Sequence, residues 1–185
     1  RQDPNIIMVG EIRDRETAEI AVQSALTGHL VFSTIHTNDA ATVFTRLINM
    51  GIEPFLISSA LLGVLAQRLA RRICDKCKEE YIPSDEVLKT LGLENMIAKG
   101  VKFSRGKGCQ HCAQSGFKGR VGIFELLCVS PAIQDLVLRK ASAEEIRLTA
   151  IKEGMNTLRK TDVDKLLSGL ISAEEVIRIT IESGS

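Results

Sequence analysis

Four of the chain's five cysteines fall into two Cys-x-x-Cys pairs, Cys74-Asp75-Lys76-Cys77 and Cys109-Gln110-His111-Cys112, with 31 residues between them. A turn of this kind can present two thiolates to one ion, and two such turns complete a closed tetrahedral site typical of structural zinc. A closed site leaves no position for a reactive water, so the expected role of Cys74, Cys77, Cys109 and Cys112 is structural. His111 lies between two ligands, but a fourth thiolate makes it redundant, and it is expected to face solvent. Cys128 stands alone in an apolar run and is expected to be a small core residue. Thiols used this way suit a reducing compartment rather than a disulfide scaffold.

A second set of residues could act on phosphate. Glu11 follows the apolar run Ile6-Ile7-Met8-Val9 and Gly10, as in a Walker B element, where a strand aims one carboxylate at a magnesium-bound nucleotide or at its attacking water. Alone the pattern is weak, because such acids also cap a following helix. His36 ends the next apolar run, Leu30 to Ile35, and an imidazole there can donate to a terminal phosphate. His29 lies seven residues earlier, at the opposite strand end, and a hydrogen-bonded structural role suits it at least as well. A phosphate-cradling loop is missing. In the nearest segment, Gly100 to Gly108, five residues separate Gly100 from Gly106, and Lys107 precedes Gly108 instead of Ser or Thr. The phosphate loop is therefore expected upstream of Arg1.

These residues need a scaffold. The run at 6–9 reads as a strand buried on both faces of a parallel sheet. Helical spacing from Arg15 to Leu26 follows, with Asp14 as cap and Gly28 past the end. A second strand, Leu30 to Ile35, leads to a helix capped by Asn38 or Asp39, carrying Val43, Phe44, Leu47 and Ile48 and stopped by Gly51. Strands joined by a crossover helix are parallel and end on one rim, so Glu11 and His36 are expected to share it. A third helix is expected over Pro54 to Arg72, with Arg68, Arg71 and Arg72 complementing its dipole. The long gap between the cysteine pairs implies an insert with a helix from Ser84 to Leu91 and a strand near Val101 to Ser104. Arg120 to Leu127 reads as a strand. Helices follow, opened by Ser130-Pro131 and by the capping boxes Ser142 with Glu145 and Ser172 with Glu175, with stops at Gly154 and Gly169.

Lys plus Arg number 24 against 23 Asp plus Glu, aromatics make up 4%, and Trp is absent, which argues against a nucleic-acid partner. The most apolar stretch, Ile52 to Ala66, is interrupted by polar residues and too short to span a bilayer, so no membrane insertion is expected. Arg1 to Asn5 lack the order of an export signal, and a cytoplasmic location is the expectation.

Taken together, these boxes resemble the hexameric ATPases of bacterial type II secretion and type IV pilus assembly. Arg1-Gln2-Asp3-Pro4 with Met8-Val9-Gly10-Glu11-Ile12-Arg13-Asp14 is similar to their Walker B box, and Gly28-His29-Leu30-Val31-Phe32-Ser33-Thr34-Ile35-His36-Thr37-Asn38 to their His box. Similarity continues through Gly63 to Leu69, the cysteine pairs, Gly119 to Leu127 and Gly154 to Leu158.

The resemblance implies an α/β fold: the distal part of a RecA-like P-loop NTPase core (1–72), a four-cysteine zinc insert (73–118) and a mostly helical C-terminal region (119–185). It implies ATP, Mg and Zn as cofactors, with Gly10, Glu11 and His36 at the nucleotide, Glu11 acting through magnesium and His36 contacting the γ-phosphate. Four cysteines resemble the assembly and secretion branch, since retraction relatives generally lack them. The implied partners are a homo-hexamer, an inner-membrane platform protein and cytoplasmic-ring proteins, which would hold the enzyme peripherally at the inner membrane. Family members often carry Asp-Gly where this chain has Asp162-Val163. With the phosphate loop, the acidic box and the arginine fingers expected upstream, these 185 residues alone are expected to hydrolyse ATP negligibly. The competing reading is a zinc-knuckle binding or regulatory module without ATPase activity.

Overall fold

The computed structural model describes residues 4–94 and 102–182. Arg1 to Asp3 and Val101 lie outside the described residues. Packing gathers the chain into two compact units, one formed by 1–66 and 125–156, the other by 67–124 and 157–185.

The first unit begins with β1 (Ile6–Val9), α1 (Arg15–Leu26), β2 (Leu30–Ser33) and α2 (Thr42–Asn49). Asp14 caps α1, its Oδ1 accepting the Thr17 N–H at 2.8 Å. β1 and β2 pair in parallel, Ile6 opposite Leu30 and Val9 opposite Ser33, as a crossover helix requires. Two short helices, α3 (Pro54–Ala60) and α5 (Pro131–Leu138), are tied by the Gln134 amide donating to the Ser58 carbonyl at 3.1 Å. α6 (Ala143–Lys152) carries the expected capping box of Ser142 and Glu145. The core of this unit gathers Ala18, Phe44, Leu47, Ile57, Leu127, Ile133 and Ile146.

β1 departs from its expected burial. Ile6 and Met8 remain 60% and 68% exposed, because β1 and β2 form a two-stranded sheet among the described residues and only alternate side chains face inward.

A larger correction concerns 54–72, which is not one helix. α3 stops at Ala60, and Gly63–Ile73 is a strand, β3. Leu65, Gln67, Leu69 and Arg71 point outward while Val64, Ala66, Arg68 and Ala70 turn in, a period of two rather than 3.6. Arg68, Arg71 and Arg72 are therefore strand residues and cap no helix. β3 pairs with β6 (Phe117–Cys128), which is longer than the expected 120–127. The same alternation buries Leu127 and leaves Cys128 exposed, so Cys128 is not a core residue.

The second unit adds β4 (Lys78–Tyr81), α4 (Asp85–Leu91), β5 (Phe103–Gly106), α7 (Leu158–Leu167) and α8 (Ala173–Glu182). α7 runs unbroken through Asp162-Val163, so no turn occurs there. Ser172 Oγ accepts the Glu175 N–H at 3.3 Å, but the Glu175 carboxylate does not complete a capping box. It is buried and takes the Arg71 N–H at 2.7 Å together with the Arg71 and Arg178 guanidinium groups. Among the described residues, no helix is long and apolar enough to cross a membrane.

Candidate functional site

The parallel register of β1 and β2 brings their carboxyl ends together, and the pairing continues past the strands. The Ile12 N–H donates to the Thr34 carbonyl at 2.8 Å, and Thr34 Oγ1 donates to the Gly10 carbonyl at 2.7 Å. Thr34 thus fastens the Gly10–Ile12 segment to the segment that carries His36. Glu11 and His36 meet on this rim, with Nε2 of His36 2.8 Å from Oε1 of Glu11.

The other carboxylate oxygen of Glu11, Oε2, receives Arg13 Nε at 2.7 Å and a second guanidinium nitrogen at 2.6 Å. Arg13 thereby holds the Glu11 carboxyl below its usual range and keeps it an anion, against a smaller opposing effect of burial. Oε1, by contrast, is sealed from water and has no aligned hydrogen bond, although His36 stands beside it. An ionised carboxylate on this rim fits magnesium, which takes one or two protein carboxylates and otherwise keeps its waters.

The His36 imidazole is 85% exposed and opens onto a groove of about 530 Å³, lined further by Asn38, Thr42, Arg46, Asn49 and Met50. Gly10 borders the rim in open space: a Cβ there would meet no atom within 4 Å. His29 is elsewhere, its Nδ1 3.1 Å from both the Ser24 carbonyl and Thr27 Oγ1 at the end of α1. Arg13 and Thr34 were missed as site residues, although each lies within two positions of a residue the sequence singles out.

The four knuckle thiols converge in the second unit because β4 and β5 pair antiparallel, Lys78 opposite Gly106, directly beyond Cys77 and before Cys109. The Lys107 N–H closes the arrangement on the Cys77 carbonyl at 3.0 Å. Gly106 and Gly116 cross so closely that a Cβ on Gly106 would lie 2.1 Å from the Gly116 carbonyl oxygen, so no larger residue fits.

All four Sγ atoms lie within 4.8 Å of one another, with separations of 3.9 Å for Cys74–Cys109, 3.8 Å for Cys77–Cys112 and 3.7 Å for Cys109–Cys112. A tetrahedron with metal–sulfur bonds of about 2.3 Å has edges of about 3.8 Å, so the spacing fits one tetrahedral ion and is far too long for disulfides. Sγ of Cys112 accepts N–H groups from Cys109 at 3.2 Å and Gly116 at 3.3 Å. Burial pushes this thiol up, but those bonds and the ones from the Cys109 and Cys77 thiols prevail and bring it down, while burial pushes the neighbouring Cys77 thiol up. His111 sits exposed on the short turn and is not one of the four donors.

Residues 1–178 match the family described as "Type II/IV secretion system protein". The chain belongs to that secretion family. Its similarity to the Type IV pilus assembly ATPase PilB of Thermus thermophilus is 53% identity over 98% of this chain and 20% of that protein. With the Type II secretion system protein E of Pseudomonas aeruginosa it shares 48% identity over 98% of this chain and 36% of that protein. The chain therefore spans a fifth to just over a third of the length of these curated relatives. The fold is also similar to part of the pilus retraction motor PilT solved with bound ADP, at a TM-score of 0.63 and 26% identity over 96% of this chain and 40% of that one.

Proposed function

We propose that this chain is the distal part of the RecA-like ATPase core of a hexameric motor for type II secretion or type IV pilus assembly. The observation that carries this reading is the shared rim: a carboxylate held anionic by Arg13, with an exposed imidazole 2.8 Å away, at the ends of two parallel strands in a secretion-family chain. In this reading β1 and β2 are two strands of a wider sheet, which accounts for the exposure of Ile6 and Met8.

Glu11 would hold magnesium, directly or through one of the ion's waters, and the cation would supply charge neutralisation along the phosphates. Arg13 keeps the carboxylate ionised and oriented. His36 donates from the imidazole to the terminal phosphate, and Thr34 keeps the two groups at a fixed separation. Zinc is the ion proposed for Cys74, Cys77, Cys109 and Cys112, where it holds the knuckle together without taking part in hydrolysis.

Identities of 46–53% to proteins named as assembly or secretion ATPases, against 26% to a retraction motor, support extrusion over retraction. A cytoplasmic location, attachment to the inner membrane through a platform protein, and negligible hydrolysis by the 185 residues alone belong to the same reading.

The test is ATP hydrolysis by the full-length protein. Glu11→Gln and His36→Ala should each lower kcat by about a hundredfold or more, the scale for removing one group that stabilises charge in a transition state. Full turnover by either variant refutes the assignment, and robust magnesium-dependent turnover by the 185-residue chain, abolished by Glu11→Gln, would overturn the expectation that it hydrolyses negligibly.

A further inference from the structure

Glu125 interrupts the pattern of its own strand. Along β6 the inward positions Ile123, Glu125 and Leu127 are 0%, 3% and 0% exposed, so an acid occupies a place where its neighbours are aliphatic. Burying a carboxyl is costly unless something requires its oxygens. Here Oε1 accepts the Ala40 N–H at 2.9 Å, across 85 positions of sequence.

Ala40 and Ala41 are themselves 0% and 1% exposed, and they form the turn between His36 and α2. Two bonds within the turn also hold it. Thr37 Oγ1 donates to the Asp39 carbonyl at 3.0 Å, and Asp39 Oδ1 accepts the Thr42 N–H at 2.8 Å. Both bonds are local and would move with the loop. Of the three, the Glu125 bond alone ties the turn to a distant strand, and without it the buried Ala40 N–H would lack its acceptor.

We infer that Glu125 is a positioning residue: through the Ala40 N–H it fixes the turn that holds the His36 imidazole against Glu11. Its functional meaning rests on the proposed role of His36 at phosphate, but the contact itself needs no nucleotide. Glu125 reaches the turn through the backbone N–H of Ala40.

The experiment is nuclear magnetic resonance on the 185-residue chain, reading cross-relaxation between the His36 ring protons and the Glu11 γ-protons. Glu125→Gln keeps an acceptor for Ala40 and should retain the signal within about twofold. Glu125→Met keeps the volume without the acceptor, and the signal should fall at least fourfold while the resonances of Phe44 and Leu47 stay in place. An undiminished signal in Glu125→Met overturns the inference. If that variant does not fold, amide exchange in the native chain decides: the Ala40 N–H should exchange about a hundredfold or more below its free rate. An unprotected Ala40 amide overturns the inference equally. Either failure would leave the nucleotide reading standing, since that is tested by hydrolysis in the Glu11 and His36 variants.

Discussion

Replacing Glu175 with glutamine should destabilise the unit that carries the metal knuckle by about 3 kcal/mol, and the figure follows from the surroundings of the carboxylate. Burial alone would push this carboxyl up, but hydrogen bonds from Arg178 and Arg71, with the Arg71 N–H, reverse the effect and hold it at about 2 instead of 4.5. A displacement of about 2.5 units at about 1.36 kcal/mol per unit gives about 3 kcal/mol. Loss of one partner from a buried ion pair costs a similar amount. Because the pKa is depressed in the fold, the contribution is complete above about 4.5 and disappears only as pH falls toward 2. The assay is chemical denaturation of the native chain and Glu175→Gln, both with metal bound, at several values between pH 8 and 5.5. The expected difference is constant over that range, with a thermal midpoint about 6–12 °C lower in the variant. A difference below about 1 kcal/mol, or one that drifts with pH across the range, would refute the reasoning.

Other outcomes can be checked on the same material. Chelation, or Cys109→Ser, should unfold 74–112 while amides of Phe44 and Ile57 in the first unit stay protected. Metal analysis of freshly purified, reduced protein that finds no zinc would end the four-thiolate assignment. Asp162 is buried, its Oδ1 has no partner, and burial raises its carboxyl to about 6 despite Arg68 and Arg159. A raised carboxyl costs stability above about 6 and is relieved as pH falls toward 3.8, so Asp162→Asn should stabilise the chain by about 1 kcal/mol at pH 8 and flatten that pH dependence. Unchanged denaturation curves would mean that the carboxyl is solvated in solution. Thr34→Val removes the tether to the Gly10 carbonyl and should cost about 1 kcal/mol. In the full-length protein it should lower kcat more than it raises KM. A purely proportional change in KM would assign Thr34 to binding instead.

The rim was legible because short-range signals agree. An apolar run, an acid, a capped helix of one crossover length and a second run ending in histidine leave little choice about strand direction, and Asp14 and Gly28 mark the helix ends where the sequence puts them. The knuckles were legible for a similar reason, since thiol spacing is set by local turns.

What failed depended on distant contacts. Leu65 and Leu69 are 57% and 54% exposed, and no local rule puts two leucines outward. With Ala, Gln and Arg between them the segment reads as helix, until pairing with β6, more than forty positions away in sequence, imposes a two-residue period. Glu125 drew no separate expectation and Glu175 only that of a capping box, because their partners Ala40 and Arg71 lie 85 and 104 positions away.

The two-stranded parallel sheet has a practical consequence. Its outer rims carry backbone amides and carbonyls that no strand answers among the described residues, and Ile6, Met8, Leu30 and Phe32 lie together on the outward side of the register. Such a ribbon is a template for adding further extended chain. Handled alone, the polypeptide should cloud as it is concentrated, faster in sulfate than in chloride, and Met8→Lys with Phe32→Lys should keep it clear.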